Sequence, residues 1–261
     1  MGLAAFVTAV ALAVSPVSFV QGHMNGGGYA EPGGTTDALL TSWAVLGLRA
    51  AGADSPGSLA YLQSQEGSLH TSNDVAIVAL AEQALGARNG ALLARLRVQA
   101  NGQIGETVNS TYWGVLALGH STPATTKFML AQQTKAGGFA WFKHGQADSN
   151  DTAAALEALR VAHVHGAAIV RAVRFLRTFQ NKDGGFELTQ GRGSDAQSTA
   201  WAIQGLVAAG QKPPRSAFAY LASLKRDDGS YRYSAMYVTT PVWVTSQVLA
   251  ALAKKPFPLA P

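Results

Sequence analysis

Gln180-Asn181-Lys182-Asp183-Gly184-Gly185-Phe186 (QNKDGGF) and the later opening Thr199-Ala200-Trp201-Ala202 (TAWAIQGLVAAG) decide the reading of this chain, because both recur. The glycine turn returns as Gln133–Phe139 (QTKAGGF). Weaker versions sit at Met24–Tyr29 (MNGGGY), Gln65–Leu69 (QEGSL), Gln99–Gly105 (QANGQIG) and Lys225–Tyr231 (KRDDGSY). The opening returns at Thr41-Ser42-Trp43-Ala44, Thr111-Tyr112-Trp113, Thr152-Ala153 and Thr245-Ser246, with Asn73 taking its place in the second unit. Openings at 41, 73, 111, 152, 199 and 245 lie 32, 38, 41, 47 and 46 residues apart. Six units at that period describe a helical repeat array.

Residue types give each unit its physics. A short amphipathic stretch such as Ala172–Leu176 or Ala219–Leu221 precedes each turn, with Arg and Lys on one face, and belongs outside. The helix after the turn carries Ala or Gly around most of its surface, as expected of a helix packed on several sides. Thr, Ser, Asn and Asp at its opening are expected to accept bonds from free helix N–H groups. The glycine pair supplies backbone conformations that a side chain forbids, and Pro56, Pro123 and Pro214 suit first-turn helix starts. The expectation is an all-α chain of six helix–turn–helix repeats and about twelve helices. Small inner residues favour closure into an (α/α)6 toroid with inner and outer rings, formed by residues 1–261 as a single domain.

Composition narrows the function classes. Of 261 residues, 48% are apolar and 13% charged, too hydrophobic for a disordered chain. The net charge of +5 is spread over scattered Lys and Arg, so no nucleic-acid groove is expected. Without cysteine there are no disulfides and no thiolate metal ligands. Residues 3–20 are apolar, but the first basic residue is Arg49 and Pro16 interrupts the run, so no stable membrane span is expected. The repeat phasing makes residues 1–20 the first outer helix. An overlapping export signal is compatible with the same residues, and the compartment stays open, as does the oligomeric state.

These turns resemble the QW-type repeats of squalene–hopene cyclases, within the superfamily of terpenoid cyclases and protein prenyltransferases. Ala196–Ala202 (AQSTAWA) is similar to a segment near the C-terminus of those cyclases. The resemblance covers about residues 14–253 and implies an α/α toroid around an apolar cavity. It also implies two chemistries that can be compared residue by residue. Class II terpene cyclases carry Asp-x-Asp-Asp-Thr-Ala, whose middle Asp protonates an alkene or epoxide. The match here is Asp148-Ser149-Asn150-Asp151-Thr152-Ala153, with an amide at the acid's place. Since an amide cannot donate that proton, Asp148 and Asp151 are the candidate catalytic acids. Prenyltransferases bind zinc through Asp, Cys and His. The comparable segment is Asp195-Ala196-Gln197, with Gln where Cys belongs, so no metal and no other cofactor is expected. His163 and His165 supply no alternative ligand set.

Parallel inner helices would gather their N-termini at one mouth, where free N–H groups favour a polar or anionic ligand group. Candidate ligand-binding residues there are Asn150, Asp195 and Gln197, with Tyr112, Trp113, Trp141, Phe142, Trp201 and Trp243 as an aromatic lining for a small apolar or isoprenoid ligand. Against this, Asp37, Asp148 and Asp195 share one repeat position, which fits a capping role. Trp43, Trp113 and Trp201 share another, which fits core packing. Two functions remain: a class II cyclase-like enzyme lacking the usual acid, or a non-catalytic, exported toroid that binds a ligand or a protein. Related toroids in vitamin B12 carriers and complement thioester domains make the second reasonable. A third, a purely structural scaffold, expects a cavity filled by side chains.

Overall fold

Outer and inner helices alternate along residues 14–259, the part described by the computed structural model. The outer set is α1 (Pro16–Gln21), α3 (Ser58–Gln65), α5 (Gly90–Leu93), α7 (Pro123–Ala131), α9 (Ala167–Arg177) and α11 (Arg215–Ser223). The inner set is α2 (Ala38–Ala50), α4 (Ser72–Ala84), α6 (Val108–Leu118), α8 (Ser149–Val161), α10 (Ala196–Ala208) and α12 (Pro241–Ala253). One small hairpin joins β1 (Met24–Asn25) to β2 (Gly28–Tyr29). Each inner helix packs on the next, and α12 returns to pack on α2, so the ring closes. In α2 every residue from Leu40 to Leu48 is buried, whereas α9 buries Ala172 and Leu176 and exposes Arg171, Arg174 and Arg177. Helix α1 occupies only the end of the 1–20 stretch and starts at Pro16; residues 1–13 lie outside the described part. Pro123 opens α7 as expected, while Pro56 and Pro214 stand just before α3 and α11.

The repeated threonine ties the glycine turn to its helix and is not the cap expected from the sequence. Oγ1 of Thr41, Thr111, Thr152, Thr199 and Thr245 accepts the backbone N–H of Tyr29, Ile104, Phe139, Phe186 and Tyr231 at 2.8, 3.1, 3.0, 2.8 and 2.9 Å. Thr152 and Thr199 also donate to the carbonyls of Asp148 and Asp195, each at 2.6 Å. A buried N–H that would otherwise lack a partner is thereby satisfied in five repeats. Capping falls one turn earlier, to the side chains of Asp37, Thr71, Thr107, Asp148 and Asp195. In the second repeat the position equivalent to the threonine is Val75, not Asn73. There the turn ends in Leu69, whose N–H closes a 3-10 turn onto Glu66 instead. The hydroxyl acceptor is absent at Val75, and the Leu69 N–H has the Glu66 carbonyl instead, so no polar group is stranded.

The glutamine of the turn is a double donor. Gln133 Nε2 reaches the carbonyls of Gly137 (2.9 Å) and Ala168 (2.8 Å), and Gln180 Nε2 reaches Gly184 (2.9 Å) and Ser216 Oγ (3.0 Å). Each one closes its own turn and fastens it to the next outer helix. Gly137 has φ 105°, and a Cβ there would stand 2.6 Å from the Arg171 carbonyl oxygen. Only glycine satisfies both conditions.

The N-termini of α4, α6, α8 and α10 are capped twice, once from within and once from the following repeat. The first N–H groups of α4 reach Glu106 (3.3 Å), those of α6 the Trp141 carbonyl (3.1 and 3.2 Å), that of α8 Leu188 (3.1 Å) and that of α10 Tyr233 (2.7 Å). For α12 the following repeat is the first one. Glu31 accepts from the N–H groups of Val242 and Trp243, both at 2.9 Å, while Thr240 supplies no side-chain cap. At the same seam Gly47 of α2 lies against the Ser246 backbone with no room for a Cβ. At the opposite end of the ring the tail turns inward. The Phe257 N–H donates to Glu157 (2.6 Å), and its carbonyl accepts from Arg160 (2.5 Å).

Glu31→Ala removes the cap that joins the first and last repeats. Loss of a cap costs about 1–2 kcal/mol, which for a chain of this size lowers Tm by a few degrees. Hydrogen exchange should accelerate first at Val242 and Trp243. Unchanged exchange in the first turn of α12 would contradict the role assigned to Glu31.

Candidate functional site

The inner helices are parallel, and a cavity of about 550 Å³ opens among their N-terminal ends. Its floor is three tryptophans from alternate helices, Trp43 of α2, Trp113 of α6 and Trp201 of α10. Their rings meet edge to face at 5.5 Å (Trp43–Trp113), 5.6 Å (Trp43–Trp201) and 5.4 Å (Trp113–Trp201). Each lies six positions past its helix cap. Helices α4 and α8 place the smaller Ile77 and Ala154 at that position, which leaves room for the triad. Edge-to-face pairs add about 1 kcal/mol each beyond burial. Phe257 backs the floor from below, 6.1 Å from Trp43 and 6.3 Å from Trp201. The tryptophans are therefore core and lining at once.

One wall is polar. Asn73 Nδ2 donates to Asn109 Oδ1 (2.9 Å), and Asn109 Nδ2 donates to Asp151 Oδ1 (2.6 Å). The Asp151 backbone N–H donates to Asp148 Oδ1 (2.8 Å), which sets the two carboxyls side by side at the head of α8. Burial, then the charge of Asp148 beside it, pushes Asp151 up to about 8, against a smaller lowering by Asn109. Burial raises Asp148 as well, offset in part by its bonds from Asp151. Burial and mutual repulsion thus favour one proton shared by the pair over two bare carboxylates.

Asp148, Asn150, Asp151, Trp113, Trp141, Gln197, Trp201 and Trp243 all line the cavity. Three other residues singled out in the sequence do not. Tyr112 lies behind the wall, 0% exposed against Phe139, with its hydroxyl unpartnered. Phe142 is 59% exposed on the loop before α8. Asp195 caps α10 beside the cavity, and its two oxygens take the Ser198 N–H (2.7 Å) and Oγ–H (2.8 Å). With Gln197 next to this fully engaged carboxylate, the residues do not fit a zinc site. Among the described residues no group of three or more His, Cys, Asp or Glu is gathered for a metal. The expected anion-binding mouth is also corrected: most of the helix N–H groups there are already bonded to caps. Gln247, Asn73 and Leu39 line the cavity unforeseen. Gln247 is the α12 counterpart of the tryptophan position, two residues past the repeated threonine as Trp43, Trp113 and Trp201 are.

No family model matches the sequence, and no curated protein matches it. Solved structures do. A protein from Actinoplanes superimposes with a TM-score of 0.69 at 18% identity, over 92% of this chain and 97% of that one. A variant of the type II terpene cyclase MstE from Scytonema, in complex with geranylgeranyl dihydroxybenzoate, gives 0.68 at 15% identity over 92% and 95%. Candida albicans protein geranylgeranyltransferase-I complexed with GGPP gives 0.61 at 12% identity over 82% and 83%. This chain has the α/α toroid fold of the terpenoid cyclases and protein prenyltransferases. Among the described residues no helix is long and apolar enough to cross a membrane.

Stability should fall as pH rises. Burial raises Asp151 and Glu157 to about 8 and Glu82 to about 7, so the folded state holds protons that the unfolded chain has already released. That stability is complete below the ordinary carboxyl range and is lost as pH climbs through 7 to 8. The loss is up to about 1.4 kcal/mol per pH unit per proton. Urea midpoints measured from pH 4.5 to 9 should decline, and Asp151→Asn should flatten the decline. A midpoint rising with pH over that range would refute the assignment.

Proposed function

We propose that the cavity takes an apolar, unsaturated isoprenoid chain and that Asp151 protonates one of its double bonds. The observation that carries this is a buried pair of adjacent carboxyls, Asp148 and Asp151, set over an aromatic floor in one cavity. A group near 8 keeps its proton at neutral pH and stands close to the operating range of a general acid. As the proton leaves, Asn109 Nδ2 steadies the developing carboxylate at Oδ1, and the Asp148 N-cap position holds the pair in register. The alkene carbon accepts the proton, and the positive charge moves to the neighbouring carbon. There the π faces of Trp43, Trp113, Trp201 and Trp243 favour it electrostatically. Loss of a proton from a carbon next to the cation completes an isomerisation, with Asp151 restored. The geranylgeranyl chain bound by a cyclase of the same fold supports the ligand class.

The Asn at position 150, where class II cyclases place their acid, favours a second reading in which the toroid binds its ligand without turnover. Asp151→Asn decides between them. In assays with polyprenyl and squalene-type substrates at pH 7, this variant should lose at least 100-fold in rate while binding is retained. Asp148→Asn should lose less and shift the alkaline limb of the pH profile downward. Equal turnover in wild type and both variants removes these acids from the mechanism, and no turnover in any of the three with ligand still bound supports the binding reading.

A further inference from the structure

We infer that the ligand of this cavity, on the reading just given, is an uncharged chain bearing a neutral oxygen function, and that prenyl diphosphates are turned away. The lining contains three carboxyl groups, Asp74, Asp148 and Asp151, and among the described residues no Lys, Arg or His. A diphosphate needs the opposite: cationic side chains or free helix N–H groups. The helix ends at this mouth offer few. Asp37, Thr71, Thr107, Asp148 and Asp195 occupy them from within, and Glu106, Glu31 and three backbone carbonyls occupy them from the neighbouring repeats. Two of those second caps, Glu106 and Glu31, are themselves carboxylates. The positive ends of the inner-helix dipoles are thus already matched with negative charge.

What the cavity does offer is a neutral donor and acceptor set at its base. Gln247 of α12 is 4% exposed, lines the cavity, and has neither its Nε2 nor its Oε1 bonded. On the adjacent helix α2, at the same level, Trp43 Nε1 also lacks a partner. Buried polar groups of this kind are costly unless something completes them. A hydroxyl, epoxide or carbonyl oxygen accepts from the indole and amide N–H groups, and a hydroxyl also donates to Oε1. The oxygen-bearing end would then lie deep in the cavity, and the unsaturated chain would run outward past Asp151, one turn nearer the mouth.

Binding of three probes, followed by tryptophan fluorescence, tests this apart from catalysis: geranylgeraniol, geranylgeranyl diphosphate and a hydrocarbon of equal length. Wild-type protein should bind the alcohol at least tenfold more tightly than the diphosphate. Gln247→Leu should weaken the alcohol about tenfold and leave the hydrocarbon unchanged. Diphosphate binding as tight as the alcohol's overturns the inference, even if Asp151 proves to be the acid. So does a Gln247→Leu variant that loses alcohol and hydrocarbon equally, and so does a wild-type protein that binds none of the three, which also removes the cavity reading. Alcohol preference without turnover leaves this inference standing and removes only the acid.

Discussion

Closure of the ring is the constraint on which the rest depends. A stack of helix pairs has two free ends, and each end would expose an apolar inner face. Here the last inner helix covers the first, with the Gly47–Ser246 contact allowing close approach and Glu31 supplying the N-terminal cap that α12 lacks. The same relation, in which a helix is capped by its successor, holds at α4, α6, α8 and α10. What differs at the seam is that it spans more than two hundred residues of chain. An open superhelix of the same repeats would have no common mouth, no shared tryptophan floor and no enclosed wall to keep a proton on Asp151.

The fold was legible because its devices are local and repeated. Gln-x-x-x-Gly-Gly-aromatic shows twice in full and four times in weaker form, and its glutamine and the backbone of its aromatic each have a bond to make. The parts misread were those whose partner lies outside the local string. A threonine next to a helix start looks like a cap, and only the geometry shows its hydroxyl receiving the N–H of a residue seven to fourteen positions earlier. The second repeat was misaligned by two residues because Val75 lost its hydroxyl in step with the lost aromatic at Leu69. Nothing in the sequence joins Glu31 to Val242, or Phe257 to Glu157.

The site was partly legible for the same reason. Asp148 and Asp151 stood out by resemblance, and the capping role of the shared Asp position followed from its recurrence at 37, 148 and 195. Asp151 is the more buried of the pair, and the amide bonded to it, Asn109, lies forty-two residues away along the chain. Gln247 breaks a pattern that was in plain view. Five inner helices carry an apolar side chain at that level, and α12 alone places an amide there, two residues past its threonine.

The tail that tucks Phe257 beneath the tryptophans makes the chamber a blind alley. Whatever goes in must back out through the same doorway, so arriving and departing molecules compete for one passage, and exit can become the slow part of a cycle.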